Sequence, residues 1–145
     1  MSWISVLTIL VTGFFGASEF GSSAFVHPVI RQLEPDQQLR FEKGLLKTFR
    51  RIMPIGMTLG VVLGIALAIH HTNYFTISAA LALIMALVVT IFGNVPINVK
   101  TGRIETTTAT KEFMEMRRRW DRYQIICGSL QVLGFILVVL GVAIV

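Results

Sequence analysis

Two side chains in the first apolar run can move a proton, Glu19 and, eight residues later, His27. An ionised carboxylate facing lipid costs several kcal/mol, so Glu19 must turn into a bundle, carry a proton or find a partner. Thr12, Gly16, Glu19, Ser23 and His27 follow one another by four, three, four and four residues, the spacing of a single helical face. We read Glu19 and His27 as the candidate catalytic acid–base residues. Two helical turns, about 12 Å along the axis, separate them on a regular helix, too far to chelate one small metal ion. No metal ligand set is therefore assigned.

Two further polar stripes have matching spacing. Trp120, Gln124, Cys127 and Gln131 step by four, three and four, and Ala86, Thr90, Asn94 and Asn98 step by four throughout. Counted inward at ~1.5 Å per residue, Glu19 and Gln131 reach comparable depths and are expected to meet in one layer, with Thr58 and Thr90 near them. Pro28 should end the first helix at His27, and Pro96 should break the end of the third. Freed carbonyls and asparagine amides there would form a polar mouth. The lone Cys127 reads as a small buried filler, and His70 and His71 as residues of a solvated turn.

The elements that must carry these residues are set by hydropathy. The chain is 54% hydrophobic and 14% charged, the balance of a multispanning membrane protein. Four runs, about 3–26, 52–69, 74–92 and 123–145, approach or exceed the roughly 20 apolar residues a spanning helix needs. Helices are the sensible reading, because lipid tolerates no unpaired backbone. The expected fold is all-α, a single domain over 1–145 forming a four-transmembrane-helix bundle. The run after Met1-Ser2-Trp3 lacks the basic start of a secretory signal and reads as a retained span. Gly56, Gly60, Gly64 and Ala68 form a small-residue ridge for close helix packing.

All thirteen Lys and Arg residues fall in two loops, around 31–51 and 100–122, with none in the turn at 70–73. The positive-inside rule then makes both basic loops cytoplasmic and both termini extracytoplasmic, in a multi-pass protein of the cell membrane. The net charge of +5 follows from that threading and from contact with anionic lipid, so no nucleic-acid partner is expected. Trp3 and Tyr74 mark one interface, Trp120 and Tyr123 the other. Residues 34–51 read as an amphipathic helix on the inner leaflet that turns upward at Pro54. Thr106 to Thr110 read as exposed loop.

No nucleophile elbow, phosphate-binding glycine loop or paired-histidine metal motif is present. Phe25-Val26-His27-Pro28, Asn94-Val95-Pro96-Ile97-Asn98 and Arg119-Trp120-Asp121-Arg122-Tyr123-Gln124 together resemble the small four-helix membrane family that includes the anthrone oxygenases. The resemblance implies oxidation by O2 of a reduced aromatic polyketide, a small hydrophobic aromatic molecule, with no metal or flavin required. Such chemistry needs a base for an acidic C–H and donors for the resulting enolate. Asn94, Asn98 and Trp120 match the family pattern, and Gln124 and Gln131 join them as candidate substrate-binding residues. Many relatives carry a histidine shortly after the tryptophan, where this chain has Tyr123-Gln124. Two alternatives stand beside this reading: a metal- or heme-containing redox protein using His27, and a noncatalytic accessory protein or small-substrate carrier. A homo-oligomer is compatible with each.

Overall fold

A computed structural model describes residues 2–144. Among them there is no strand, and four long helical rods are apolar enough to cross a membrane. The first rod is α1 (Trp3–Gly21), a π-helical turn (Ser22–Val26) and α2 (His27–Ile30). Helix α3 (Pro35–His70) is the second; α4 (Tyr74–Val89), a π-helical turn (Thr90–Asn94) and α5 (Val95–Gly102) make the third; α6 (Lys111–Ala143) is the fourth. Polar caps start three of them: the Ser2 hydroxyl accepts from Ser5 N–H at 3.3 Å, Thr110 from Phe113 N–H at 3.1 Å, and Asn73 forms a capping box with Thr76; α3 starts on Pro35 instead.

Beside a buried apolar core that includes Met57, Leu67, Leu83 and Val138, many large apolar side chains face outward and many polar ones inward. Leu10, Phe14, Ile55, Ile69 and Phe92 are exposed, whereas Ser5, Thr8, Thr12, Thr76 and Gln131 are buried. With lipid outside, the large apolar side chains belong on the perimeter, and small or hydrogen-bonding residues fill the seams. Thr8 and Thr12 satisfy themselves by donating to the carbonyls of Ile4 and Thr8, each at 2.6 Å. Helix α6 packs most extensively on α4 and α1, and α3 closes the bundle against α1 and α4. The chain is a multi-pass membrane protein.

Glycines set the approach. A β-carbon on Gly16 would lie 3.3 Å from the Gln131 carbonyl oxygen, and one on Gly128 would lie 3.0 Å from the Phe20 Cα. Gly56 of the expected ridge is filled by the Phe15 ring, where a β-carbon would come within 2.0 Å.

Neither Pro28 nor Pro96 ends its helix. A proline has no N–H for the carbonyl four residues back and collides with it; each of these two rods answers with a π turn just before the proline. The His27 N–H donates to Ser22 O, and the Val95 N–H to Thr90 O, both five residues back. The extra residue in the turn also changes which side chains face inward. On an uninterrupted helix His27 would sit about 80° from Glu19, and one inserted residue reduces this to roughly 20°. Ser22, not the expected Ser23, is accordingly the buried serine between them. Pro54 lies inside a continuous α3, so residues 35–51 do not turn there. Thr58 is exposed, and Trp120 is buried at 6% exposure rather than lying in an interfacial belt.

Candidate active site

Between the basic-loop halves of α1–α2, α3, α5 and α6 lies a cavity of about 180 Å³, open on one side. Its α3 wall comes from Glu42, Leu46, Arg50, Met53 and Met57, which step by four, four, three and four along one helical face. Val26, Val95 and Val99 add apolar surface across from it. Of the residues singled out in the sequence, Glu19, His27, Asn94, Asn98, Trp120 and Gln124 all line this one cavity. Gln131 does not; it is buried beside Gly16, farther along α6, with its side-chain amide N–H unpartnered among the described residues.

A chain of amides leads to the acid. Asn94 Nδ2 donates to Gln124 Oε1 at 2.7 Å, and Gln124 Nε2 donates to Glu19 Oε2. Gln124, not Gln131, is therefore the partner of Glu19. This arrangement leaves Asn94 Oδ1 free as a buried acceptor, and Trp120 Nε1 free as a buried donor. His27 Nδ1 and Arg117 Nε are unpartnered on the same lining. Buried polar atoms are ordinarily paired, so these orphans mark places where a bound molecule or water completes the set.

Trp120 is held by its neighbours. The Arg117 guanidinium carbon is 4.2 Å from the indole centroid and the His27 ring 4.3 Å, tilted by 52°. Arg117 donates to Glu42 Oε2 at 2.7 Å and to Asn98 Oδ1 at 3.2 Å. Arg31 donates to Glu42 Oε1 at 2.8 Å and grips Asp121 through two contacts of 2.7 Å. His27 Nδ1 is 3.4 Å from Glu42 Oε1, near enough for charge interaction but without hydrogen-bond geometry. Glu42 stands ten residues ahead of the apolar span that begins at Ile52. Burial pushes its carboxyl up, but the proximity of His27 and the charges of Arg117 and Arg31 outweigh this and hold it at about 2.

Glu42, Arg117, Arg31 and Asp121 are the residues that sequence reading missed. They fall in the stretches that the sequence presents as basic loops, where charge reads as solvated surface, although Glu42 lies on α3 and Arg117 and Asp121 on α6. The usable signal was register: Glu42 shares a face with Leu46 and Met53, and Arg117 precedes Trp120 by three residues and Gln124 by seven. His27 is the imidazole at the cavity, whereas His70 and His71 pack on each other at the end of α3, away from the basic loops. Among the described residues no three His, Cys, Asp or Glu side chains are grouped to hold a metal ion.

Comparison with curated proteins and with solved structures finds no significant match. Comparison with protein families does: residues 44–137, from the arm of α3 through most of α6, match the family described as anthrone oxygenase. Asn94, Asn98, Arg117, Trp120 and Gln124 fall inside the matched stretch, while Glu19, His27 and Glu42 precede it. The chain belongs to the anthrone oxygenase family.

Proposed function

We propose that this protein oxidises an anthrone-type aromatic ketone with O2 inside the cavity, converting a ring CH2 to C=O and releasing one water. Glu19 is the general base. It takes a proton from the methylene, whose anion is delocalised as an enolate; the unpartnered Trp120 N–H stabilises the charge, and the Asn94–Gln124 amides hold the carboxyl in place. The carbanion reduces O2, forming a C–O bond to a peroxide that recovers the proton from Glu19. Loss of the second C–H proton with cleavage of the O–O bond then gives the quinone carbonyl and water, which balances all atoms and electrons.

The observation that carries this reading is a carboxyl group from an apolar run, held by the Gln124 amide, in the wall of a cavity that also has apolar surface from Val26, Leu46, Met53, Met57, Val95 and Val99. Intramembrane ionisable groups are costly and serve function by default. The volume of about 180 Å³ exceeds the ~150 Å³ of an engineered apolar cavity that takes up benzene, and the open side leaves room for further rings. The proposal includes an orientation, with both basic loops cytoplasmic, so that substrate reaches the cavity from that side.

Glu19→Gln keeps the size and an acceptor for Gln124 while removing the base. Turnover of anthrone, followed by O2 uptake and quinone absorbance on detergent-purified protein, is expected to fall by about 10²–10⁴. Wild-type turnover in that variant would remove Glu19 from the mechanism, and an inert wild-type protein would overturn the reaction itself.

A further inference from the structure

Of thirteen Lys and Arg residues, only Arg50 and Arg117 line the cavity. Arg117 is cancelled: it is 1% exposed and held by Glu42 at 2.7 Å. Arg50 makes no ion pair among the described residues, and it is exposed at the cavity rim.

Its position is not that of the other cations on the same arm. Lys43, Lys47 and Arg51 repeat every four residues on a neighbouring stripe and do not line the cavity, whereas Arg50 stands in the Glu42–Leu46–Arg50–Met53–Met57 row that does. The packing of Phe15 against Gly56 fixes the depth of α1 relative to the antiparallel α3. Glu19 lies four residues beyond Phe15 and Arg50 six residues before Gly56, so the two come within roughly 3 Å of the same level along the bundle axis, on different walls of the cavity. A flat molecule lying across the cavity would present one edge to Glu19 and another to an uncompensated guanidinium, surrounded by apolar surface from Leu46, Phe49 and Met53. A planar, five-donor cation in that setting matches a carboxylate or an ionised phenol.

We propose that Arg50 determines specificity, and that the substrate is an aromatic ketone bearing an acidic group which Arg50 binds while the reacting carbon faces Glu19. This rests on the cavity being the substrate site, and it is independent of the oxygen chemistry.

The test is equilibrium binding by full-length protein in zwitterionic-lipid nanodiscs, read by quenching of Trp120 in a Trp3→Phe background. The probes are anthraquinone-2-carboxylate and its neutral counterpart 2-(hydroxymethyl)anthraquinone. Wild-type protein is expected to bind the carboxylate about tenfold more tightly than the alcohol at low salt. Arg50→Gln should bring that ratio to about one with the alcohol's affinity unchanged, which also reports an intact fold; Arg50→Lys should keep part of the preference, and Arg51→Gln all of it. A ratio of one in the wild type, a ratio that survives Arg50→Gln, or an equal loss in Arg51→Gln overturns the proposal, the last by showing general attraction to the basic face. Failure of both probes to bind wild-type protein overturns the substrate-site reading beneath it.

Discussion

Glu42 is the carboxylate on which the cations of the site meet. Arg117, Arg31 and His27 converge on it, and it is 2% exposed. Removing one partner of a buried ion pair leaves the other uncompensated, so Glu42→Gln should lower stability by about 3–5 kcal/mol. Thermal denaturation in detergent across pH checks the same group. Its carboxyl is held at about 2 in the folded protein against an ordinary 4.5, so the contribution is complete above about 4.5 and is lost as pH falls toward 2. Wild-type melting should decline through that window, and in Glu42→Gln this part of the decline should vanish. The intramembrane half of the site was legible because a carboxylate or amide in an apolar run stands out: Glu19, Asn94 and Gln124 were named from spacing, and all line the cavity. The charged half was not. Hydropathy cannot distinguish a loop glutamate in water from one enclosed by two guanidinium groups, and the pairing of Glu42 with Arg117 across 75 residues is a tertiary fact.

At the scale of elements, the four rods were legible because a bilayer sets both their length and the demand for internal backbone hydrogen bonds. Their ends were not. Proline read alone signals a stop, yet α3 continues through Pro54, and the π turns carry the first and third rods through Pro28 and Pro96. Lipid and neighbouring helices offer the chain few alternatives to continuing, so the bulge is the less costly solution. The glycines make the packing testable. Gly128→Ala places a methyl 3.0 Å from the Phe20 Cα, against backbone that cannot rotate away, at the turn carrying Glu19. It should cost about 1–3 kcal/mol in a denaturant titration and reduce turnover as well. Gly44→Ala meets nothing within 4 Å on an exposed stretch of α3 and should stabilise the protein by about 0.5–1 kcal/mol.

For the whole molecule, the basic loops and the cavity share one end of the bundle, so the direction of threading decides which aqueous compartment faces the site. With Cys127 buried, single cysteines introduced at exposed positions report that direction against a low background. Thr72→Cys should react with a membrane-impermeant maleimide in intact cells, and Thr107→Cys only after permeabilisation; the opposite pattern would reverse the assigned orientation. The two π turns have a consequence for how this chain can change length. Each holds one residue more than a uniform helix requires, a spare position such as Ala24 or Ile91. Shortening there by one residue leaves everything beyond it in phase, while the same loss at Leu10 would swing the acid outward among the acyl chains. At these two points, both bordering the chamber, losing a residue keeps the inward face but restores the proline's collision with the carbonyl four residues back, so the penalty is local strain and not a bundle turned inside out.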